Sequence, residues 1–257
     1  MSRRAFALVA LLLFVPGCQS LPTARSLPPD DLRPATLLRG LVARGAERHS
    51  LRGVAKVALE GPAGASRSRQ ILVVERPARM RVEVQGFLNQ LVAVLVSDGE
   101  RFELFRAQDR SVEQGDVHPG ILYQVAGIPL PPEAVVGVLL GAPDLGPRPL
   151  PGPAALLSDG DVRVDLVEEA GVGLRRLLFD PEANLKQLEV LTNEGELAWK
   201  VRFEDYREVG GLSFAHDIVF EFPLAEAHAE VRFQQVELNP ELPPEVFGLR
   251  PLSGESG

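Results

Sequence analysis

The residues of this sequence that could do chemistry include one thiol, and it follows an apolar segment directly. Cys18 is the only cysteine among 257 residues, so no intramolecular disulfide can form. Arg3 and Arg4 precede an apolar run over residues 5–15. That run is too short to span a hydrocarbon core, which needs about 20 residues, but it has the length of a signal-peptide core. The pattern predicts a signal peptide over residues 1–17.

The residues around the thiol indicate what is attached to it. Val15-Pro16-Gly17-Cys18 resembles the bacterial lipoprotein signal, in which the thiol is acylated and the chain is cut in front of it. The resemblance implies that Cys18 is the lipid-anchored first residue of the mature protein. Gln19 follows where an aspartate favours retention in the inner membrane, so the resemblance implies an outer-membrane anchor that faces the periplasm. The alternative is an ordinary signal peptide with an incidental cysteine.

The remaining reactive residue types lack the spacing of a catalytic or metal site. No pair of histidines has the H-E-x-x-H spacing of zinc ligands. The adjacent carboxylates Glu168-Glu169 and Glu204-Asp205 point to opposite faces of a strand, so neither pair can share one substrate. We therefore predict no enzyme, no cofactor and no metal site. The histidines are His49, His118, His216 and His228.

Net charge limits the classes of partner. The whole chain has a formal charge of −8, and residues 1–17 hold two basic and no acidic residues, so the chain from Cys18 onward is near −10. A nucleic-acid-binding protein would show a basic domain or stripe, so no nucleic acid is expected. The same charge predicts that membrane contact occurs through acyl chains or apolar residues and not through adsorption to anionic lipid.

The elements that must position any site begin after a proline-rich stretch. Residues 18–31 are predicted to be an acylated, flexible tether, followed by one domain over residues 32–250 and a disordered tail over 251–257. A helix is predicted over residues 32–47, and from residue 50 the apolar pattern has the period of two that is typical of antiparallel sheet. The predicted strands lie near 51–60, 68–76, 79–85, 90–97, 101–107, 162–168, 174–179, 185–192, 197–204, 213–222 and 227–238.

Two features of the pattern predict how the sheet is covered. Residues 70–75 and 91–96 are apolar at consecutive positions, so one face of each strand meets the interior and the other meets a covering element, or the strands are simply central and buried. Residues 134–140 predict a short helix that is apolar on all sides. A proline-rich loop is expected after it, up to residue 153.

Several segments in sequence order resemble the LolA/LolB-like lipoprotein-carrier superfamily of the bacterial envelope. "SLRGVAKVALEG" (50–61) resembles its first strand, and "GIPLPPEAVVGVLLGAPD" (127–144) resembles the segment and helix of its outer-membrane receptor branch. Val138 stands near the place of a tryptophan often found in that helix. Residues 199–222 resemble its late hairpin, and "VELNPELPPEVFGL" (236–249) resembles its C-terminal ending.

The resemblance implies a mainly β fold with a few helices: a half-open, strongly curved antiparallel barrel of about eleven strands, with helices covering its concave apolar face. An apolar cavity there would hold acyl chains of lipoproteins or other lipids in transit, delivered by a periplasmic carrier protein. The residues predicted to line it are Met80, Val82, Val84, Val92, Val94, Val135, Val138, Leu139, Val201 and Phe203.

One predicted turn carries apolar residues where polar ones are usual. "QGFLNQ" (85–90) places Phe87 and Leu88 between two apolar strands. In the receptor branch, an apolar residue in the corresponding hairpin loop helps to insert cargo into the membrane, so the resemblance implies that role for Phe87 and Leu88. Alternatively, both side chains fold back into the core.

Two functions therefore follow from the sequence. The first is an outer-membrane lipoprotein that binds acyl chains for transport or insertion. The second is a non-catalytic scaffold of the same fold, whose interior is filled by its own side chains and which acts through protein contacts. The two differ in whether the concave face leaves room for a guest.

Overall fold

The computed structural model describes residues 24–62, 64–146, 148–167 and 174–249. The predicted signal peptide, Cys18, Gln19, the tail over 251–257 and the pair Glu168-Glu169 lie outside the described residues. Of the predicted tether, residues 24–31 are described, and they include a two-residue strand, Arg25–Ser26.

A single antiparallel sheet organises the described residues. It contains fourteen strands and does not close, because β1 and β7 form its two edges. The spatial order is β1-β8-β9-β10-β11-β12-β13-β14-β2-β3-β4-β5-β6-β7. The strands are β1 (Arg25–Ser26), β2 (Ser50–Gly61), β3 (Gly64–Glu75), β4 (Arg79–Gln85), β5 (Leu91–Ser97), β6 (Arg101–Arg106), β7 (Ser111–Asp116), β8 (Leu150–Leu156), β9 (Val162–Val167), β10 (Arg175–Phe179), β11 (Leu185–Leu191), β12 (Leu197–Val209), β13 (Leu212–Phe222) and β14 (Ala227–Leu238).

Helices cover the concave face of this curved sheet. The described residues form three α-helices, α1 (Arg33–Glu47), α2 (Ile121–Ala126) and α3 (Pro132–Leu139), and two 3-10 turns, Pro223–Ala225 and Pro244–Phe247. Leu38 and Leu41 of α1 are buried, because a spacing of three residues places them on one face of the helix. The helix predicted over 32–47 and the apolar helix predicted over 134–140 are both present within two residues of their predicted bounds.

The expectation of about eleven strands is corrected to fourteen, in a sheet whose edges stay apart. Each predicted strand is present, and the additional ones are β1, β7 and β8. The last of these runs through the segment that was expected to be a proline-rich loop. It tolerates its prolines because its pairing with β9 shifts between Pro151 and Ala154, so the missing N–H groups fall at an irregular position.

The C-terminal segment covers part of the convex face. Val73 of β3 packs there with Val246 and Phe247, and the Arg81 guanidinium donates to the carbonyl oxygens of Val246 at 3.1 Å and Gly248 at 2.9 Å. This cover explains why β3 is apolar on both faces, as the sequence suggested: one face meets the interior and the other meets a separate element.

A buried arginine joins the helices to the sheet. Arg48, only 2 % exposed, follows α1 and donates to the carbonyl oxygens of Leu140 at 3.3 Å, Gly141 at 3.4 Å and Ser213 at 2.5 Å. The first two carbonyls follow α3, where a positive charge also complements the helix dipole. Burial lowers the pKa of the Arg48 guanidinium. The C-terminal end of α3 is therefore held against β13.

Candidate functional site

An apolar cavity of about 210 Å³ lies between the concave face of the sheet and the helices α2 and α3. Its walls come from β2 to β6, from β13 and β14, and from the two helices. The residues that line it are Val57, Leu59, Gln70, Leu72, Val74, Met80, Val82, Val84, Ala93, Leu95, Leu104, Leu122, Val125, Ala126, Ile128, Val135, Leu139, Phe220, Ala229 and Val231.

Strand alternation and register bring the sheet side of the wall together. Met80, Val82 and Val84 share one face of β4, because successive side chains of a strand point to opposite faces. Val82 is directly opposite Leu72 on β3 and Leu95 on β5, and all three line the cavity. The alternation of apolar and charged residues in β4 thus builds the centre of the cavity wall.

The helix side of the wall follows from helical spacing. Val135 and Leu139 of α3 are four residues apart, and Leu122, Val125 and Ala126 of α2 are three and four residues apart, so each set shares one face. Gly127 ends α2 with a φ of +70°, a conformation that glycine adopts without a steric penalty. A six-residue helix between Gly120 and Gly127 therefore forms one wall of the cavity.

The chemistry of the lining suits hydrocarbon. Gln70 is the one polar side chain among the lining residues, and its amide nitrogen donates to the Ser68 hydroxyl oxygen at 3.0 Å. No lining side chain is ionisable, and a charged or unpaired polar guest would lose its hydration without compensation. The cavity therefore favours an apolar guest and offers no group for acid, base or nucleophilic chemistry.

A second space begins on the other side of α2. This outer groove, about 620 Å³ in volume, runs between the β2–β3 hairpin, α2 and the β13–β14 hairpin. The side chain of Tyr123, 58 % exposed, lines it. Leu59, Ala126 and Ala229 line both the groove and the cavity. Helix α2 thus lies between the apolar cavity and the outer groove.

Five of the ten residues predicted to line a lipid cavity lie in the wall of this one. They are Met80, Val82, Val84, Val135 and Leu139. Their common property is a position on the apolar face of a strand or helix that the sequence pattern defines clearly.

The other five predicted positions lie outside the wall of this cavity. Val92 and Val94 lie on the opposite face of β5, because Ala93 and Leu95 are the residues in register with Val84 and Val82. The run "LVAVLV" is apolar at every position, so alternation could not identify its inner face. Val92 is 42 % exposed, whereas Val94 is buried outside the cavity.

The remaining three belong to the solid part of the core. Val138 is fully buried in α3, and Val201 and Phe203 of β12 are buried among other side chains away from the cavity. Val201 is directly opposite Leu188 and Phe220, and Phe203 is opposite Ile218. Large side chains on the neighbouring strands fill the space that these residues face.

Fifteen of the twenty lining residues were not predicted, and for two groups among them the sequence carries a signal. Ala229 and Val231 are the apolar positions of the alternating segment "HAEVRFQ" in β14. Leu122, Val125 and Ala126 have the helical spacing described above, in a segment for which no element was predicted.

The loop between β4 and β5 projects apolar side chains into solvent. Phe87 is 97 % exposed and Leu88 is 79 % exposed, so they do not fold back into the core. The turn is closed by hydrogen bonds from the Gly86 amide to the Gln90 carbonyl oxygen and from the Leu88 amide to the Gln90 side-chain oxygen, both 2.8 Å. The loop begins and ends beside Val84 and Leu91, at the end of the strands that form the cavity wall.

The described residues contain neither a membrane-spanning helix nor a cluster of metal ligands. None of the described helices is long and apolar enough to cross a membrane. Among these residues, no cluster of three or more His, Cys, Asp or Glu side chains could hold a metal ion. His216 is buried, and its ring lies edge-on to that of Phe214 with centroids 5.9 Å apart.

Comparisons with known proteins identify the fold. No protein-family model and no curated protein matches the sequence. Among solved structures, a domain described as that of an outer membrane lipoprotein-sorting protein from Vibrio parahaemolyticus has a TM-score of 0.55 at 10 % identity, covering 84 % of this chain and 96 % of that one.

Two further structures are similar over the same extent. A LolA superfamily protein from Nitrosomonas europaea has a TM-score of 0.52 at 11 % identity, covering 82 % of this chain and 96 % of that one. A DUF1329 family protein from Desulfovibrio piger has a TM-score of 0.53 at 8 % identity, covering 84 % of this chain and 98 % of that one. Such low identities indicate shared architecture and nothing closer, and the architecture that this chain shares with them is the LolA/LolB-like fold.

Proposed function

We propose that this protein is an outer-membrane-anchored lipoprotein that carries the acyl chains of lipoproteins or other lipids for transport or insertion at that membrane. The observation that carries the proposal is the cavity itself, which is lined almost entirely by apolar side chains and by no ionisable group. The names of two structural neighbours, an outer membrane lipoprotein-sorting domain and a LolA superfamily protein, point in the same direction.

The size of the cavity sets the length of chain it can hold. An apolar cavity of about 150 Å³ binds benzene, so by the same ratio a volume of 210 Å³ accepts about eight carbons. Burying these at about 0.8 kcal/mol per CH₂ stabilises the guest by about 6 kcal/mol. That is enough to hold one end of a fatty chain, although the rest of a typical chain needs further cover.

Displacement of α2 provides that cover. The helix is only six residues long and lies between Gly120 and Gly127. Its outward movement would join the cavity to the outer groove, since Val125 and Ala126 line both spaces. The two volumes, about 210 and 620 Å³, would then offer room beyond the first eight carbons, and α3 would stay in place because Arg48 holds its C-terminal end.

The membrane-facing parts of the proposal are the anchor and the loop. Acylation of Cys18 would hold the protein at the outer membrane, with the cavity facing the periplasm and cargo arriving from a periplasmic carrier protein. Phe87 and Leu88 would enter the bilayer and open a path for the cargo. Their exposure and their position at the end of the cavity-forming strands support this role.

A second candidate function is a non-catalytic envelope scaffold that acts through protein contacts. The observation that favours it is the aromatic packing over the other part of the concave face, where Phe179, Phe214 and Phe222 are each at most 2 % exposed. A scaffold needs no guest, so the two functions predict different contents of the purified protein.

Native mass spectrometry of untagged Cys18→Ser protein, exported by a signal peptide that is cleaved before residue 18 and purified from the periplasm without detergent, separates them. The carrier proposal predicts adducts with the masses of acyl lipids, released by organic extraction. Protein that carries no lipid, and that takes up none when incubated with a long-chain fatty acid, would contradict the carrier proposal and leave the scaffold.

A further inference from the structure

Three positively charged residues lie side by side across the convex face of the sheet. The strand register places Arg232 of β14 opposite Lys56 of β2, and Lys56 opposite Arg69 of β3. Opposite residues on one face have Cβ atoms about 5 Å apart, and like charges there are destabilising. Together with the nearby Arg67 these residues form what we call the basic face. Because folding alone disfavours it, its charges need another role.

A neighbouring part of the convex face shows the usual arrangement of charge. Lys200 and Arg202 of β12 both pair with Glu221 on β13, the first at 2.9 Å between Nζ and Oε2. On the basic face, in contrast, Lys56 forms no salt bridge with any described residue, and Arg69 donates to the neutral side-chain oxygen of Gln85. Opposite charges therefore lie next to each other on β12 and β13, whereas positive charges lie next to each other on the basic face.

Carboxylates neutralise the basic face only in part. Arg232 is paired with Asp217 at 3.1 Å and with Glu230 at 2.5 Å. Arg67 approaches Glu60 at 3.8 Å, but their side chains are 83 % and 52 % exposed, so water screens that pair. Positive charge therefore remains available on the two strands β2 and β3.

The basic face adjoins the apolar loop. An open depression of about 660 Å³ is lined by all four residues of the basic face and also by Phe87 and Asn89 of the loop. Glu230 is the only carboxylate in that lining. Arg69 bonds to Gln85, the residue at which the loop leaves β4. The positive side chains and the exposed aromatic ring thus face the same space.

We propose that the basic face binds the phosphate groups of anionic phospholipids at a bilayer surface while Phe87 and Leu88 enter the hydrocarbon. This inference rests on the proposed function for the membrane-facing role of the loop. An apolar tip flanked by Lys and Arg is the arrangement that holds proteins at a charged interface. The expectation that this chain would not be attracted to anionic lipid came from the net charge near −10 of the chain from Cys18 onward, which does not describe this face.

The same geometry gives the protein an orientation. An acyl anchor at Cys18 on a tether would hold the domain near a membrane without fixing which side faces it. Attraction of the basic face to headgroups would turn the loop, and the adjacent end of the cavity, toward the bilayer. The acidic remainder of the surface would be repelled from it.

Vesicle partitioning of the chain from residue 18 onward, with Cys18→Ser, tests the inference. This chain contains every described residue and lacks only the proposed signal peptide and anchor. Partition coefficients are measured on vesicles of phosphatidylcholine and on vesicles with equal parts of phosphatidylcholine and phosphatidylglycerol. The double variant Lys56→Gln/Arg67→Gln removes two charges and leaves the Arg69 bond to the loop intact. The matched control, Arg39→Gln/Arg101→Gln, removes two exposed charges from α1 and from the far end of β6.

We expect stronger partitioning to the anionic vesicles, weakened by salt. The partition coefficient of the Lys56→Gln/Arg67→Gln variant should fall about five-fold for each charge, or roughly 25-fold in all, on anionic vesicles only. The control should change both coefficients by less than about two-fold, since its charges lie farther from the surface than the screening length. Equal partitioning of the parent chain to both vesicles, or equal loss in variant and control, would overturn the inference.

The outcome is separable from that of the proposed function. Headgroup binding does not need a loaded cavity, so protein that contains no lipid and still prefers anionic vesicles through Lys56 and Arg67 would contradict the carrier proposal alone. Lipid-loaded protein with no preference for anionic vesicles would contradict this inference alone.

Discussion

The concave face of the sheet has two parts that differ in the size of their side chains. Over β10 to β14 it carries aromatic rings, including the pair Phe214 and Phe233, whose centroids are 5.6 Å apart, and Phe222, which stacks at 6.0 Å on Phe220 at the border of the cavity. Over β2 to β6 most of the inward side chains are Val, Leu, Met and Ala, and the cavity lies against them. Rings fill the space under one part, whereas shorter side chains leave it open under the other.

Dividing the concave face in this way allows one sheet to be stable and still hold a guest. The filled part buries large aromatic rings in contact with one another, and each ring contributes more hydrophobic stabilisation than a smaller side chain does. The open part gives up contacts along the cavity wall, because atoms that face a void have no partners there. Arg48 lies in the filled part and holds α3 to it, so opening of the cavity need not disturb the rest of the core.

Removal of a ring from the filled part gives the largest expected loss of stability. Phe214 is fully buried between Phe233, His216 and Arg48, so Phe214→Ala leaves a cavity and should lower the free energy of unfolding by about 4 kcal/mol. Chemical denaturation measures it. A loss below about 1 kcal/mol would show that this part of the core is loosely packed and would remove the contrast.

A matched pair of leucines tests the contrast directly. Leu177 and Leu72 are equally buried, at 0 and 3 % exposure, but only Leu72 lines the cavity. We expect Leu177→Ala to lower the free energy of unfolding by about 4 kcal/mol and Leu72→Ala to lower it by about 2.5 kcal/mol. The second loss is smaller because a side chain that faces the cavity has fewer neighbouring atoms. Denaturant unfolding of the two variants measures both losses. Equal losses would contradict the claim that side chains in the open part have fewer packing contacts.

Filling the cavity should reduce binding and leave the fold intact. Val84→Phe places a ring into the cavity, and we expect it to weaken uptake of a fluorescent long-chain fatty acid about ten-fold, equivalent to about 1.4 kcal/mol. Val190→Phe, at a half-buried position on β11 outside the cavity wall, is the matched control and should bind as the parent does. Equal uptake by both variants would place the guest elsewhere.

The loop variant should have the smallest effect on stability. Leu88→Glu replaces an exposed side chain, so the free energy of unfolding should change by less than about 0.5 kcal/mol, while transfer of cargo to liposomes falls several-fold. Leu224→Glu, at a position 62 % exposed on another turn, is the control for charge and exposure. Unimpaired transfer by Leu88→Glu would remove the membrane-inserting role of the loop.

The sequence predicts most of the sheet because its strands alternate. Strand β4 shows the reason: charged residues between Met80, Val82 and Val84 mark one wet and one apolar face. Strand β7 shows the limit. It lies at the edge of the sheet, and its one large apolar residue, Val112, is 54 % exposed, so no inner face marks the segment as a strand.

The candidate site was predictable where one face of an element is clearly apolar, and not where a strand is apolar on both faces. Val94 and Leu95 have equally apolar side chains, and only the register with Val82 decides which of them faces the guest. The basic face could not be predicted either, because it also depends on strand register. Lys56, Arg69 and Arg232 are far apart in sequence, and pairing of three strands brings them together.

The most direct test of the central claim is to locate a bound acyl chain. A long-chain fatty acid with a diazirine near its methyl end, photolysed on the protein and mapped by peptide mass spectrometry, reports the residues that contact the guest. We expect attachment to β4, to α2 and to α3, at residues such as Val82, Val125 and Leu139, and loss of that labelling in Val84→Phe. Attachment confined to β10–β12, or unchanged labelling in Val84→Phe, would contradict that claim.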